Sequence, residues 1–249
     1  MHKLHLVMPM GGKGSRFSQY GYEYPKPLLE IQGKPFFYWA VQSVVNFIAV
    51  EDIIFVVLQE HVTNYKIDEK IRAYYPDAII HVIPDVLNGA VLTCLEGVKE
   101  ISDTLPVLFN DCDHIFHCME FEQYCKEGFP NAFDGALLTF WSDEDKYSYL
   151  KYDSAGNVIE TVEKTVISND AICGCYFFKN KAEFVHSAEG YLKNCHYEEF
   201  FVSGVYNVMA KENKIIRGFR TDFHVAFGVP EEYEQAKKSD HFRELEQRA

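Results

Sequence analysis

The apolar positions of this chain fall into short blocks with two different periods. Ile53–Leu58 is a continuous apolar run of strand length, and Leu4–Met8, Ala78–Ile83 and Leu105–Phe109 are apolar runs of strand length each broken by one residue, His5, His81 and Pro106. Between them the period lengthens. Phe36–Asn46 repeats apolar residues at helical spacing after Gly33-Lys34-Pro35, with the proline placed for a first helical turn. Val62–Tyr74 and Gly89–Ile101 carry the same helical spacing. Strands alternating with helices predict an α/β fold, a mainly parallel sheet with helices on both faces. In such sheets ligands sit beyond the carboxyl ends of the strands. The residues after Met8 and after Phe109 occupy those positions.

The second half changes character. Gly135–Trp141 reads as a strand. Ser148–Tyr152 and Val158–Val162 flank Asp153-Ser154-Ala155-Gly156-Asn157, which signals a hairpin. Strands at Ile172–Phe178 and Ile215–Arg220 and helices at Lys181–Asn194 and Glu231–Lys238 follow. This half is expected to add antiparallel strands to the same sheet and to cover a small substrate. No repeat, low-complexity tract or Pro/Ser-rich linker divides the 249 residues. One domain is expected, with residues 1–118 and 119–249 as its two functional halves.

The first apolar run leads into Pro9-Met10-Gly11-Gly12-Lys13-Gly14-Ser15-Arg16, and Pro25-Lys26-Pro27-Leu28 follows shortly after. Glycines let backbone N–H groups converge on an anion without Cβ interference, and such a nest binds phosphate. Arg16 and Lys26 add full positive charges. The charge balance sharpens this. The formal net charge is −13, which argues against general nucleic-acid or anionic-membrane binding. Residues 1–35 nevertheless hold five cations against two carboxylates, a net of +3, which leaves −16 on the remainder. An otherwise acidic chain reverses its field where a polyphosphate would sit. The apolar runs are too short to span a bilayer. The glycine-rich segment begins almost at Met1, so no secretory leader is expected and a cytoplasmic location is.

Seven cysteines make an odd count with no C-x-x-C pair, which suits a reduced protein better than a disulfide framework. Cys112, His114, His117 and Cys118 cluster, but their spacing would strain a zinc tetrahedron. Asn110-Asp111-Cys112-Asp113-His114 is more informative. Two carboxylates at i and i+2, at the end of an apolar strand, offer hard oxygen ligands to Mg²⁺. Asp113 is the first choice and Asp111 the second. Glu163-Lys164 alone would pass for a solvated pair, and Phe227-Gly228-Val229-Pro230-Glu231-Glu232 for a capped turn into a helix. Asn88-Gly89 opens a helix, where Gly89 would let a flat base approach the backbone.

Taken in order, these segments resemble the sugar-phosphate nucleotidylyltransferases, or NDP-sugar pyrophosphorylases, in a short single-domain form. Gly11-Gly12-Lys13-Gly14-Ser15-Arg16 is similar to that family's G-G-x-G-[ST]-R loop, and Pro25-Lys26-Pro27-Leu28 to its P-K-P-[LM] segment. Asp111-Cys112-Asp113 sits where the family keeps a metal aspartate. Glu163-Lys164 resembles its E-K after the hairpin, Gly174-Cys175-Tyr176-Phe177-Phe178 its G-x-Y-x-F, and Gly228-Val229-Pro230-Glu231 its G-T-P-E. The Met8-Pro9-Met10-Gly11-Gly12 opening looks closest to a branch from bacterial surface-polysaccharide pathways. The resemblance implies a Rossmann-like sheet of the nucleotide-diphospho-sugar transferase type. It implies nucleotide binding by Met10, Gly11, Gly12, Gly14, Ser15, Asn88 and Gly89, and catalysis by Arg16 on the leaving pyrophosphate and Lys26 on the α-phosphate. It also implies acceptor binding by Lys164, Glu163, Gly174 and Glu199, with Mg²⁺ on Asp113. Two departures stand out. Ala226 occupies the place of a second metal aspartate, which Asp222 or His224 would have to replace, and Thr165 stands where E-K-P has proline.

The implied reaction is attack of a phosphomonoester oxygen on the α-phosphorus of an NTP. Neither the base (CTP, UTP or dTTP) nor the acceptor is legible; acceptors range from sugar 1-phosphates to phosphocholine-like or phosphoamide compounds. The oligomeric state is not legible either, although small domains of this kind often form homodimers. Two rivals remain. Asp111-Cys112-Asp113 is also a D-x-D, which glycosyltransferases of related fold use to hold a nucleotide-sugar, though these need no triphosphate cradle. Ala226 keeps open a nucleotide-binding subunit without turnover.

Overall fold

The carboxyl ends of two neighbouring strands decide where this molecule can work. The computed structural model describes residues 2–102, 104–130 and 133–248. β1 (Leu4–Met10) ends in the glycine loop, which turns into the short helix α1 (Ser15–Gln19). A 3-10 turn at Lys26–Leu28 and the two-residue strands β2 (Glu30–Ile31) and β3 (Lys34–Pro35) lead to α2 (Phe36–Val45). Then come β4 (Val50–Leu58), α3 (Gln59–Tyr65), α4 (Ile67–Tyr74), β5 (Ile79–Ile83), α5 (Ala90–Gly97) and β6 (Val107–Asn110). β1 lies between β4 and β6, parallel to both, and β5 extends the parallel set beyond β4. The glycine loop after β1 and the acid loop after β6 therefore leave the sheet side by side.

After the acid loop the chain forms β7 (His114–His117), α6 (Met119–Lys126), β8 (Gly135–Trp141) and the hairpin β9 (Ser148–Tyr152)–β10 (Val158–Glu163). It continues through β11 (Asp170–Phe178), α7 (Lys181–Asn194), α8 (Val202–Lys211), β12 (Ile216–Arg220), β13 (Phe223–Ala226), α9 (Pro230–Ala236) and α10 (His241–Glu246). β11 pairs antiparallel with β6, so one nine-stranded sheet runs through both halves. β7 and β13 form a separate antiparallel pair. This is the mixed, mainly parallel fold that the alternating periods predict. Among the described residues no helix is long and apolar enough to cross a membrane.

Side-chain alternation splits the core. Leu4, Leu6, Met8 and Met10 of β1 face a cluster with α2, while Val7 faces a second cluster with α5, α7 and α8. A third cluster is largely aromatic: Phe17, Phe36, Trp39, Phe227, Tyr233 and Phe242. The ring centroids of Phe36 and Phe227 lie 4.6 Å apart, a spacing favourable for edge-to-face packing. This cluster fastens α9 and α10 onto the segment after the glycine loop and so brings the turn at Gly228 to the acid loop.

Local chemistry explains most boundaries. Asp153 Oδ1 accepts the N–H groups of Ala155 and Asn157, which closes the hairpin turn. The Asn180 side chain caps α7 by accepting the Glu183 N–H at 2.8 Å. Some elements differ from expectation. The single helix expected over Val62–Tyr74 breaks at Lys66, whose φ of 54° is left-handed, and the break turns Ile67 and Ile71 into the core. α8 was not expected from the sequence, although Val202, Val205, Tyr206 and Met209 keep helical spacing; its Gly204 packs beneath the Tyr191 ring of α7. The β7–β13 pair escaped because its strands are only four residues long.

Candidate active site

The glycine loop, the 3-10 turn, the start of α5 and the acid loop enclose a cavity of about 640 Å³. Its lining includes Gly11, Gly12, Gly14, Ser15, Lys26, Asn88, Gly89, Asp111 and Asp113. Gly14 has a φ of 61°, and a Cβ there would lie 3.1 Å from Lys26 Cβ. The bare glycine lets the loop close onto the Pro25-Lys26-Pro27 segment. Lys26 Nζ then donates to Asp113 Oδ2 at 2.8 Å, an ion pair between residues 87 positions apart. The two segments singled out by sequence thus meet in one contact. Gly89 has a φ of 106°, and a Cβ there would lie 2.3 Å from the Phe200 backbone nitrogen. Gly89→Ala is therefore expected to cost about 2–4 kcal/mol of stability and to weaken NTP binding. Chemical denaturation and a nucleotide titration of the purified variant check both.

Asp111 and Asp113 also line a second cavity of about 190 Å³ with Arg16, Lys146, Tyr147, Gly174 and His224. The carboxylates are thus the wall between the two spaces. Asp111 is pushed up to about 7 by burial and by the neighbouring Asp113 charge, against the pull of Lys26. Burial also works to raise Asp113, but the Lys26 ammonium outweighs it and holds that carboxyl below its usual range. Burial opposes the charge on Lys26, yet the Asp113 carboxylate keeps its pKa above the ordinary lysine value. Burial brings His114 down to about 4 and pushes the Cys112 thiol up to about 12. Both stay neutral near pH 7, which leaves Lys26 and Asp113 as the charged pair at the wall. Gly174 completes the wall. Its carbonyl accepts the Asp111 N–H at 2.9 Å, and a Cβ on it would lie 2.7 Å from Asp111 Oδ2. Among the described residues no three His, Cys, Asp or Glu side chains converge as a metal site. A pair of hard carboxylates fits Mg²⁺ all the same, because that ion keeps water and substrate phosphate oxygens in the rest of its shell.

A family model described as nucleotidyl transferase matches residues 6–236. The chain belongs to the nucleotidyl transferase family. It is similar in fold to a nucleoside-diphosphate-sugar pyrophosphorylase from Vibrio cholerae RC9, with a TM-score of 0.80 at 24% identity, covering 94% of this chain and 100% of that one. It is also similar to the inositol-1-phosphate CTP transferase of T. maritima, with a TM-score of 0.74 at 15% identity over 99% and 96% of the two chains. A UDP-glucose pyrophosphorylase complexed with UDP-glucose gives a TM-score of 0.75 at 19% identity, over 98% and 100%. No curated protein matches the sequence significantly. Nucleotidyl transfer is the chemistry of this enzyme, and its mixed sheet with flanking helices is the fold of those structures.

Several expected residues of the nucleotidyl transferase sit elsewhere than the sequence suggested. Met10 is 2% exposed and packs into the core rather than lining the glycine-loop cavity. Alternation along β1 turns its side chain inward. Glu199, expected on the acceptor, lines the glycine-loop cavity, because residues 199–200 run beside Gly89. Arg16 is exposed and lines the smaller cavity and an adjoining cleft of about 760 Å³ rather than the glycine-loop cavity. Glu163 and Lys164 line none of these three spaces. Glu163 accepts hydrogen bonds from Ser148 and Ser203, and Lys164 Nζ lies 5.5 Å over the Phe201 ring. Thr93 and Lys146 line the spaces at the acid wall without having drawn attention in the sequence. Neither lies in a motif, and only the fold brings them in.

Asp222 lies away from the acid wall. It lies at the His117 end of the β7–β13 pair, whereas Ala226 pairs with His114 at the other end. About 3.3 Å per residue separates those ends by roughly 10 Å. Asp222 Oδ2 instead accepts the Met119 N–H at 2.7 Å and caps α6. Asp222→Ala is expected to cost about 1 kcal/mol of stability and leave turnover unchanged, which thermal denaturation and a parallel assay check. His224 lies on the same strand face as Ala226 and stacks on Phe140 at 4.1 Å, with its Nε2 buried and unpartnered.

Proposed function

We propose that this nucleotidyl transferase joins an NTP (CTP, UTP or dTTP) to a sugar 1-phosphate or similar small phosphomonoester. Pyrophosphate is released, Mg²⁺ is required, and the reaction takes place in the cytoplasm. The product would serve bacterial surface-polysaccharide synthesis. The observation that carries the reading is the Lys26–Asp113 contact of 2.8 Å at the wall between the two cavities. It supports the reading because a cation and a carboxylate meet beside the glycine loop, within reach of the α-phosphate of a nucleotide bound there. The loop glycines and Ser15 hold the triphosphate, and Asn88 and Gly89 lie against the base and ribose. Lys26 bridges the α-phosphate and the incoming phosphate. Arg16, the residue after Ser15, is assigned to the departing pyrophosphate. Gly174 is assigned to the acceptor, and Asp111 and Asp113 to Mg²⁺; Glu163 and Lys164 keep an acceptor role only as the resemblance implies it, reached from outside these spaces. When bound, Mg²⁺ supplies charge neutralisation at the α-phosphate.

The acceptor phosphate is already anionic near pH 7, so no strong general base is needed. Positioning and charge stabilisation carry the rate, as in other phosphoryl transfers. The test is a matrix of NTPs against phosphorylated acceptors scored by pyrophosphate. Release that depends on one base and one acceptor class supports the reading. NTP binding without turnover across the whole matrix would leave a regulatory subunit. Transfer from an NDP-sugar would favour the D-x-D reading.

A further inference from the structure

The acid wall is buttressed from outside by one carboxylate. Glu232 of α9 has a side chain 15% exposed, and it satisfies groups from three directions. Its Oε1 accepts the Tyr147 hydroxyl at 2.9 Å and the Lys146 ammonium at 2.9 Å. Its Oε2 accepts the Gly228 N–H at 3.1 Å. Gly228 in turn presses on Asp113: a Cβ there would lie 2.5 Å from Asp113 Oδ2. The neighbouring Phe227 N–H donates to the Asp113 carbonyl at 2.9 Å. Loop 144–147, the turn at 227–229 and the Asp113 carboxylate are therefore linked through a single side chain.

We infer that Glu232 is a positioning residue for the metal carboxylate. It holds the Gly228 turn against Asp113 and ties that turn, through Lys146 and Tyr147, to the half of the molecule assigned to the acceptor. Position 226 offers only a methyl group, so the cation depends on the acid loop, and the orientation of Asp113 depends on what stands behind it. A carboxylate that must hold a cation is sensitive to such support. The inference rests on the assignment of Mg²⁺ to Asp113.

Mn²⁺ binding by electron paramagnetic resonance reads the site without turnover. Glu232→Ala removes the buttress, and Gly228→Ala pushes against Asp113 from the same side. Each is expected to weaken Mn²⁺ binding about tenfold, the scale found for supporting partners of metal ligands. Glu232→Gln keeps an acceptor for Gly228 and is expected to retain most of the affinity, while Asp113→Asn loses it. Binding of metal-free NTP should be unchanged in the Glu232 variants. A purely structural role would lower the melting temperature of Glu232→Ala and leave Mn²⁺ affinity intact, and that result overturns the inference. Wild-type Mn²⁺ affinity in Asp113→Asn would instead sink the metal assignment, and the inference with it.

Discussion

Lys26→Met is expected to lower turnover by on the order of a hundredfold or more, with the fold retained. The ammonium lies on the wall between the cavities, 2.8 Å from Asp113. In the proposed reaction it faces two phosphates whose oxygens gather charge as the new bond forms. Positive charge fixed in place before the reaction needs no reorganisation, and in a site with little water it is worth more than in bulk. Arg16→Ala should fall in the same range through loss of charge at the leaving group. The Lys26 variant carries a second signature. Asp113 loses the partner that keeps it ionised, so its carboxyl rises and thermal stability drops. Arg16 is exposed and has no such partner among the residues shown to pair with Asp113, so its variant should keep wild-type stability. Circular dichroism and steady-state rates on both proteins check this. Near-normal turnover in both would remove them from the chemistry.

Asp113→Asn is expected to abolish most metal-dependent turnover, again by at least about a hundredfold, and chelation of the wild-type enzyme should reproduce the loss. An amide keeps the shape of the side chain and can still meet Lys26, but it cannot hold a divalent cation as a carboxylate does. Asp111→Asn should cost less. Asp113 is the carboxylate whose oxygen meets Lys26 at the wall. A titration of rate against Mg²⁺ concentration separates the two: Asp111→Asn shifts the midpoint, whereas Asp113→Asn removes the response.

Much of the site was legible in the sequence because its parts are local. The glycine loop and the Pro25-Lys26-Pro27 segment have fixed chemistry, and an apolar strand ending in Asp111-Cys112-Asp113 marks a carboxyl end. The strand–helix alternation of the first half was legible for a similar reason: periods of two and 3.6 residues survive wherever one face is buried. What could not be read depends on contacts distant in sequence. Met10 follows the alternation of β1 into the core, and nothing local says that the loop begins one residue later. Asp222 had the right chemistry for a metal but lies at the wrong end of a strand pair too short to foresee. Glu199 could be assigned to a cavity only once residues 199–200 were seen beside Gly89. Glu232 looked like an ordinary acid in the first turn of a helix, and its three partners come from loop 144–147 and the turn before it.

The central claim is that the acid wall handles the α-phosphorus of a nucleoside triphosphate. The most direct measurement follows an NTP labelled at the α-phosphate through a single turnover with Mg²⁺ and the acceptor selected by the matrix. The account predicts that the label passes into a nucleotidylated acceptor while unlabelled pyrophosphate is released. Label recovered in a nucleoside diphosphate, with the γ-phosphate transferred, would contradict it.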